Sequence, residues 1–187
     1  MNMQLVIIFS ALFFISEMTL MLVKRSKKID SKVNNDKKSL IIFWFVIPIS
    51  ITLGFMLANY SIWNLTQIII AIAGLFVFIA GISIRWIAII QLADEFTVDV
   101  SIVKNHKLKT TGLYQIVRHP SYMGLLMLVV GLSIAMNSFF SILVISIPIF
   151  LAINYRIKIE ETTLLKEFKQ FYLEYSRKTK SLIPYIY

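Results

Sequence analysis

No cysteine occurs in the 187 residues, which excludes disulfide scaffolds, thiolate metal sites and cysteine nucleophiles. Histidine is nearly missing as well. His106 and His119 are the two present, too few for a histidine-rich metal cluster, and no metal is expected. Charge is absent from the connections around residues 59–65 and 137–138.

What the chain has in quantity is apolar. Hydrophobic residues make up 58% of it and the mean hydropathy is +0.77, whereas soluble domains run at about 45–50% apolar. This composition points to a bilayer. The net charge of +9 invites a nucleic-acid reading, but its distribution argues against one. Eighteen of the 19 Lys and Arg residues fall in 24–39, 93–120 and 154–187, as expected when positive residues gather on the cytoplasmic side of spanning helices. No nucleic-acid partner is expected; membrane lipids are.

Taken in order, Leu5–Val23 is a first apolar run close to the length that crosses the hydrocarbon, about 20 residues. It has no basic n-region and no small-residue cleavage site, so it reads as a retained span rather than a signal peptide. Residues 24–39 hold seven basic and two acidic groups and read as a solvated loop facing anionic headgroups. A second span covers Leu40–Tyr60, with Pro48 and Gly54 inside it, and Asn59–Asn64 makes an uncharged turn whose Tyr and Trp suit the outer interface. The third span is Leu65–Leu92. Its Gly74 and Gly81 would let another helix approach closely. Glu17 and Arg85 lie at similar depths in the first and third spans; an ion pair between them is one expectation, and snorkelling of each to the interface is the plainer alternative.

Residues 93–120 form the longest polar connection, with partial alternation at Val98–Val103 that suggests a short extended segment. Tyr122–Ala135 and Phe139–Ile153 then form a helical hairpin, returning the chain to the cytoplasm near Tyr155. From Arg156 the tail reads as a separate amphipathic helix, with Leu164, Leu165, Phe168, Phe171, Tyr172 and Tyr175 on one face. It either lies on the membrane surface or folds back over the 93–120 loop; periodicity alone leaves both open. The expected fold is therefore an all-α integral membrane protein with five transmembrane helices, the last two a hairpin, and a cytoplasmic C-terminal amphipathic helix. The N-terminus is expected outside. Residues 1–92 form a three-span region and 93–187 the catalytic region.

Two constellations carry chemistry. In Arg118-His119-Pro120, proline suits the first helical position, so His119 becomes the N-cap of the fourth span. The positive end of that helix is an anion site, to which Arg118 and a protonated His119 would add. A topogenic Arg-His pair at a membrane boundary is the plain alternative, but it leaves the nearby Gly112, Tyr114, Tyr122 and Gly124 as coincidence. Arg156 and Glu160, four residues apart, share a helix face. They are either a simple surface pair or the two ends of a site for a zwitterion. Glu161 points about 100° away and cannot be the same kind of ligand as Glu160.

The run from His106 through Leu108, Thr110-Thr111-Gly112-Leu113-Tyr114 and Arg118-His119-Pro120-Ser121-Tyr122-Met123-Gly124 resembles the isoprenylcysteine carboxyl methyltransferase family. So does a second block, Arg156-x-x-x-Glu160-Glu161-x-x-Leu164 with Phe171-Tyr172-Leu173-Glu174-Tyr175 and Ile183-Pro184. The resemblance covers about residues 90–187. It implies a helical membrane enzyme that uses S-adenosylmethionine without a Rossmann domain and methylates a lipophilic, prenylcysteine-like carboxylate. Carried over by position, the cofactor site comprises His106, Lys107, Leu108, Lys109, Tyr114, His119, Pro120, Ser121, Tyr122 and Glu160, with one further contact near Asp99 or Val100. Arg156 takes the catalytic, substrate-side place. Lys107 and Lys109 depart from the more neutral residues usual there. The length and span count resemble short prokaryotic members, which implies an inner-membrane location. Methylation of a phospholipid or other small lipid, an NADPH-dependent sterol-type reductase with a related RHPxYxG element (usually Asn at the place of Ser121), and a non-catalytic protein keeping the fold are the competing readings.

Overall fold

The computed structural model describes residues 3–23, 37–60, 67–92 and 108–187. The expected extended segment at 98–103, the basic loop up to residue 36, and the site candidates Asp99, Val100, His106 and Lys107 lie outside the described residues. The described chain is helical: α1 (Met3–Val23), α2 (Lys37–Tyr60), α3 (Ile68–Leu92), α4 (Pro120–Ala135) and α5 (Phe139–Lys178), with a 3₁₀ turn at Gly112–Gln115 before α4. The single β-bridge among these residues joins Val117 to Lys180 in parallel.

Among the described residues, three helices are long and apolar enough to cross a membrane: Ser39–Tyr60, Ile68–Leu92 and Phe139–Lys178. Two shorter apolar stretches, Ile7–Leu20 and Pro120–Ala135, stand beside them. The protein is thus an all-α, multi-pass membrane protein.

The tightest packing joins α3 to α4. Without a hydrophobic drive between helices inside lipid, close approach depends on small residues that let backbones touch. Gly74 and Gly81 on α3 meet Gly131 and Gly124 on α4: a Cβ at Gly74 would strike the backbone of Gly131 and Ala135, and one at Gly81 that of Gly124 and Leu128. Periodic small residues on α3 announced this approach; their partners on α4 went unremarked.

The α4–α5 connection is only Met136–Ser138. Asn137 takes the left-handed conformation at φ 57°, which Asn tolerates better than most residues, and donates from Nδ2 to the Gln67 carbonyl at 3.2 Å. Ser138 caps α5, accepting from the Ser141 amide. The Ser141 hydroxyl reaches α2, donating to the Gly54 carbonyl at 2.6 Å. Ile145, Ile149, Ile153 and Ile157 of α5 are buried and pack with Ile47 and Ile51 of α2 in one apolar core.

α5 corrects the expectation of a separate tail helix. It is regular from Phe139 as far as Phe168, about 45 Å at 1.5 Å per residue, well beyond the hydrocarbon thickness of about 30 Å. Its first half is the span and its second half projects beyond it. The turning point is Lys169, at φ 45° and ψ −117°, where the regular helix breaks. The expected single apolar face is split by that break: Tyr172 is buried, but Leu165 and Phe171 are exposed. The chain after Lys178 folds back on residues 117–119, which resolves the two options for the tail in favour of the fold-back.

Replacing Gly81 or Gly131 with valine forces the α3–α4 backbones apart. The expected loss is about 1–3 kcal/mol, the usual cost of overpacking, read as a lower unfolding temperature in detergent; Gly→Val with unchanged stability at both positions contradicts the seam.

Candidate functional site

The approach to α4 is built by a glycine. Gly112 has φ +69° and sits against the Gln91 side chain of α3, where any Cβ would collide with the amide group. Gln91 Oε1 accepts from the Leu113 amide at 2.9 Å. The 3₁₀ turn that follows buries Tyr114, whose hydroxyl donates to the Ala88 carbonyl at 3.2 Å. Its own carbonyl accepts from the Tyr175 hydroxyl at 2.6 Å. The backbone of 118–119 is then held by the returning chain: the Arg118 amide donates to the Lys180 carbonyl at 2.8 Å and the His119 amide to the Ser181 carbonyl at 3.0 Å. His119 is the N-cap of α4 and Pro120 its first residue; the histidine side chain makes no capping bond.

Glu161 is the centre of the water-side half. Its carboxylate receives Arg118 at 2.8 Å, the His119 ring at 3.1 Å through Nε2 and the Ser181 hydroxyl at 3.2 Å. The Arg118 guanidinium also donates to the carbonyls of Ser176 and Thr179. Glu160, one residue earlier, lies on the other side of the ring, 3.9 Å from His119 Nδ1. Burial pushes the Glu161 carboxyl up, but hydrogen bonding and charge from His119 and Arg118 outweigh it and hold the group at about 2 rather than 4.5. Tyr172 and Tyr175 nearby are pushed up, chiefly by burial. Charge-assisted bonds of this kind are about twice as strong as neutral ones.

The lipid-side half starts three residues later. The Tyr122 hydroxyl accepts from Arg156 Nε at 2.7 Å, and Arg156 Nη1 donates to the Ser39 hydroxyl of α2 at 3.0 Å. The Arg156 guanidinium lies over the Phe43 ring, 5.6 Å from its centroid, a cation–π distance. Arg85 and Glu17 form the expected pair as a two-point fork of 2.6 and 2.7 Å. These groups line the polar end of a cavity of about 130 Å³ between α1, α2, α4 and α5, whose other walls include Phe13, Leu40, Trp44, Ile47 and Leu125. A single water needs about 10–15 Å³ on the same measure, so this space suits an apolar chain rather than an isolated water.

Of the described candidates, His119, Pro120, Ser121, Tyr122, Arg156 and Glu160 come together around the start of α4. Tyr114 lies beneath it with its hydroxyl turned to α3, and Leu108 and Lys109 stand at the beginning of the described segment. One expectation changes and one is refined. Arg118 is engaged by Glu161 and two carbonyls rather than held ready for an anion. Arg156 and Glu160 do share a helix face, and both meet the Tyr122 hydroxyl, but they are a surface pair only in part, because Glu160 also lies beside the His119 ring. Glu161 and Tyr172 fall in the C-terminal block that resembles the family but carry no assigned role there, whereas Ser39 and Ser181 have no signal in the sequence as site residues and Arg85 has only its charge and depth.

The family model for isoprenylcysteine carboxyl methyltransferase matches residues 72–166, half of the chain and both halves of this site. The chain belongs to that family. Protein-S-isoprenylcysteine O-methyltransferase B of Arabidopsis thaliana is 34% identical over 115 residues, 60% of this chain and 58% of that protein. The Saccharomyces cerevisiae protein-S-isoprenylcysteine O-methyltransferase is 27% identical over 192 residues, covering 99% of this chain and 80% of the relative. A solved structure of a eukaryotic intramembrane Ras methyltransferase, ICMT, superposes with a TM-score of 0.70 at 26% identity, over 95% of this chain and 64% of that one. The chain spans about half to three-fifths of the length of the plant and fission-yeast relatives it matches.

The Glu161 hub predicts a sign for acid sensitivity. A depressed carboxyl contributes stability that is complete above its unfolded value and lost as pH falls through its folded one, here from 4.5 down to about 2. Glu161→Gln removes that acid-dependent component and loosens the returning strap. Tryptic cleavage after Lys178 or Lys180 at neutral pH is expected to accelerate severalfold; an unchanged cleavage rate contradicts the hub.

Proposed function

We propose that the protein is an S-adenosylmethionine-dependent methyltransferase that esterifies the carboxylate of a prenylcysteine-like lipid at the membrane–cytosol interface. The observation that carries this reading is the continuity of one segment: His119 to Tyr122 join a charged, water-side cluster to a guanidinium at the polar end of an apolar cavity. A cofactor with a charged amino-acid end and an acceptor with a greasy chain need those two environments side by side.

The residues present fit such a cofactor. His119 contributes no side-chain cap, which leaves the positive end of α4 for a carboxylate. Glu160, part exposed beside His119, offers a partner for an ammonium. The buried Tyr172 hydroxyl makes no well-aligned hydrogen bond among the described residues, lies close to Arg118 and Glu161, and adds a polar group in the same neighbourhood. Leu108, Lys109, Tyr114, Pro120, Ser121 and Tyr122, with His106 and Lys107 beyond the described residues, complete the proposed binding set. When bound, S-adenosylmethionine supplies an activated methyl group on a sulfonium.

The acceptor carboxylate is ionised at neutral pH, so no general base is required of the chain. Its residues align and exclude water. Arg156, held by Tyr122 and Ser39 and laid on Phe43, has its guanidinium fixed in direction at the polar end of the cavity, and a planar, permanently charged group there suits an acceptor carboxylate. The apolar cavity takes the chain of the acceptor and keeps water from the reacting end. Alignment of this kind accounts for a large share of a displacement's rate. With five spans, this site faces the cytoplasm and the N-terminus lies outside, in a prokaryotic inner membrane.

The test is to purify the protein in detergent and titrate S-adenosylmethionine against NADPH, then supply methyl-labelled cofactor with membrane lipids and small prenylcysteines. Base-labile label on a prenylcysteine supports the reading; base-stable label on a phospholipid, or NADPH binding alone, overturns it. Arg156→Lys, which keeps the charge and loses the fork, is expected to lower methyl transfer about 100-fold, the cost of a misplacement of about 1 Å. Its cofactor affinity stays near wild type; the reverse order contradicts a substrate-side role for Arg156.

A further inference from the structure

Arg85 does more than close an ion pair. Its Nε and Nη2 are taken by Glu17, and its remaining nitrogen, Nη1, crosses to α4, donating to the Ser121 carbonyl at 3.1 Å and to the Ser121 hydroxyl at 3.2 Å. The α3 backbone at Arg85 lies directly against Gly124, where no Cβ fits, so this reach is short and firmly based. A cation beside the N-terminal turn of a helix is opposed by the helix dipole; Glu17 offsets that opposition. An anchor between α1 and α3 needs the fork alone. The Ser121 contacts have another consequence, because Ser121 immediately precedes Tyr122, whose hydroxyl receives Arg156.

We propose that Arg85, oriented by Glu17, is a positioning residue for methyl transfer: it sets the first turn of α4 and thereby the Tyr122–Arg156 pair at the polar end of the cavity. The inference rests on the methyl-transfer reading above. Glu17, Arg85, Ser121, Tyr122 and Arg156 all line that cavity, so the acceptor end is carried by a continuous run of bonds across α1, α3, α4 and α5. Arg85 acts through Ser121 and Tyr122, whereas Arg156 acts on the acceptor itself.

Two double variants separate positioning from simple anchoring. Glu17→Arg with Arg85→Glu keeps an α1–α3 ion pair, but a glutamate at 85 cannot donate to Ser121. Glu17→Met with Arg85→Met replaces the pair by apolar side chains of similar volume, an exchange that is often neutral for stability. Unfolding temperature, cofactor Kd, and kcat and KM for a prenylcysteine acceptor are measured on each full-length protein. The expected result is a near-native unfolding temperature, with kcat at saturating cofactor lower by about ten- to 100-fold. Arg85→Lys, which keeps the charge opposite Glu17 but lacks the three-way reach, is expected to fold and to fall between wild type and the double variants in kcat. It decides the matter if neither double variant folds. Folded variants that keep kcat within about twofold of an active wild type overturn this inference alone. A wild type that transfers no methyl group overturns the methyl-transfer reading and this inference with it.

Discussion

Inside lipid no water is available to pair with a buried polar group, so each one must find its partner within the protein. Two solutions coexist here. Thr19, Ser83 and Asn154 bond back to the carbonyl four residues earlier on their own helix, and bind nothing else together. Glu17, Ser39, Arg85, Ser121, Tyr122 and Arg156 instead pair between helices. These lie late in α1 and α3, early in α2 and α4, and midway along α5, which gathers them at one end of the bundle. Because none can be released into hydrocarbon without a large cost, the helices that carry them are registered against one another at that end.

The same end faces two solvents. His119 belongs to the water-side cluster around Glu161, and Tyr122, one helical turn on, belongs to the lipid side. Pro120 between them begins α4 without needing an N–H partner, and Ser121 is gripped from α3. Four consecutive residues thus touch a carboxylate cluster, a helix start, a buried guanidinium and an apolar cavity. The returning strap, from Thr179 to Ser181, reinforces the outer side through backbone bonds to residues 118–119. Side chains on α5 serve both halves: Arg156 looks inward to Tyr122, Glu161 holds one side of the His119 ring, and Glu160 lies between its other side and Tyr122.

Much of this was legible before any coordinates. Apolar runs locate the helices because span length is set by hydrocarbon thickness. Matched depth in α1 and α3 offers the Glu17–Arg85 pair beside the plainer option of snorkelling to the interface, and the structure shows the pair. The Arg118-His119-Pro120 and Arg156–Glu161 blocks mark the site because their residue types recur together in one family. What escaped has physical causes. Nothing local indicates that Lys169 adopts a positive φ; a lysine is an unusual choice there. Glu161 was set aside because it sits about 100° from Glu160, and only the position of the strap shows that both faces of α5 are used. Ser39 meets Arg156 across more than a hundred residues, a separation no short-range pattern encodes.

The union of α2 with α5 has a consequence for assembly. α3, α4 and α5 follow one another closely, and α3 and α4 can zip along their glycine seam as soon as both are in the bilayer. α2 has to wait. Its contacts through Gly54 and Ser39 are with Ser141 and Arg156, which are synthesised some 80 to 120 residues later. At about 5–20 residues per second that is a delay on the order of ten seconds. During it α2 stands in lipid as an independent, charge-free rod from Ser39 onward, a state its composition permits. The last arrival is thus the half of α5 that carries the guanidinium, and the apolar cavity exists only once that half has been made.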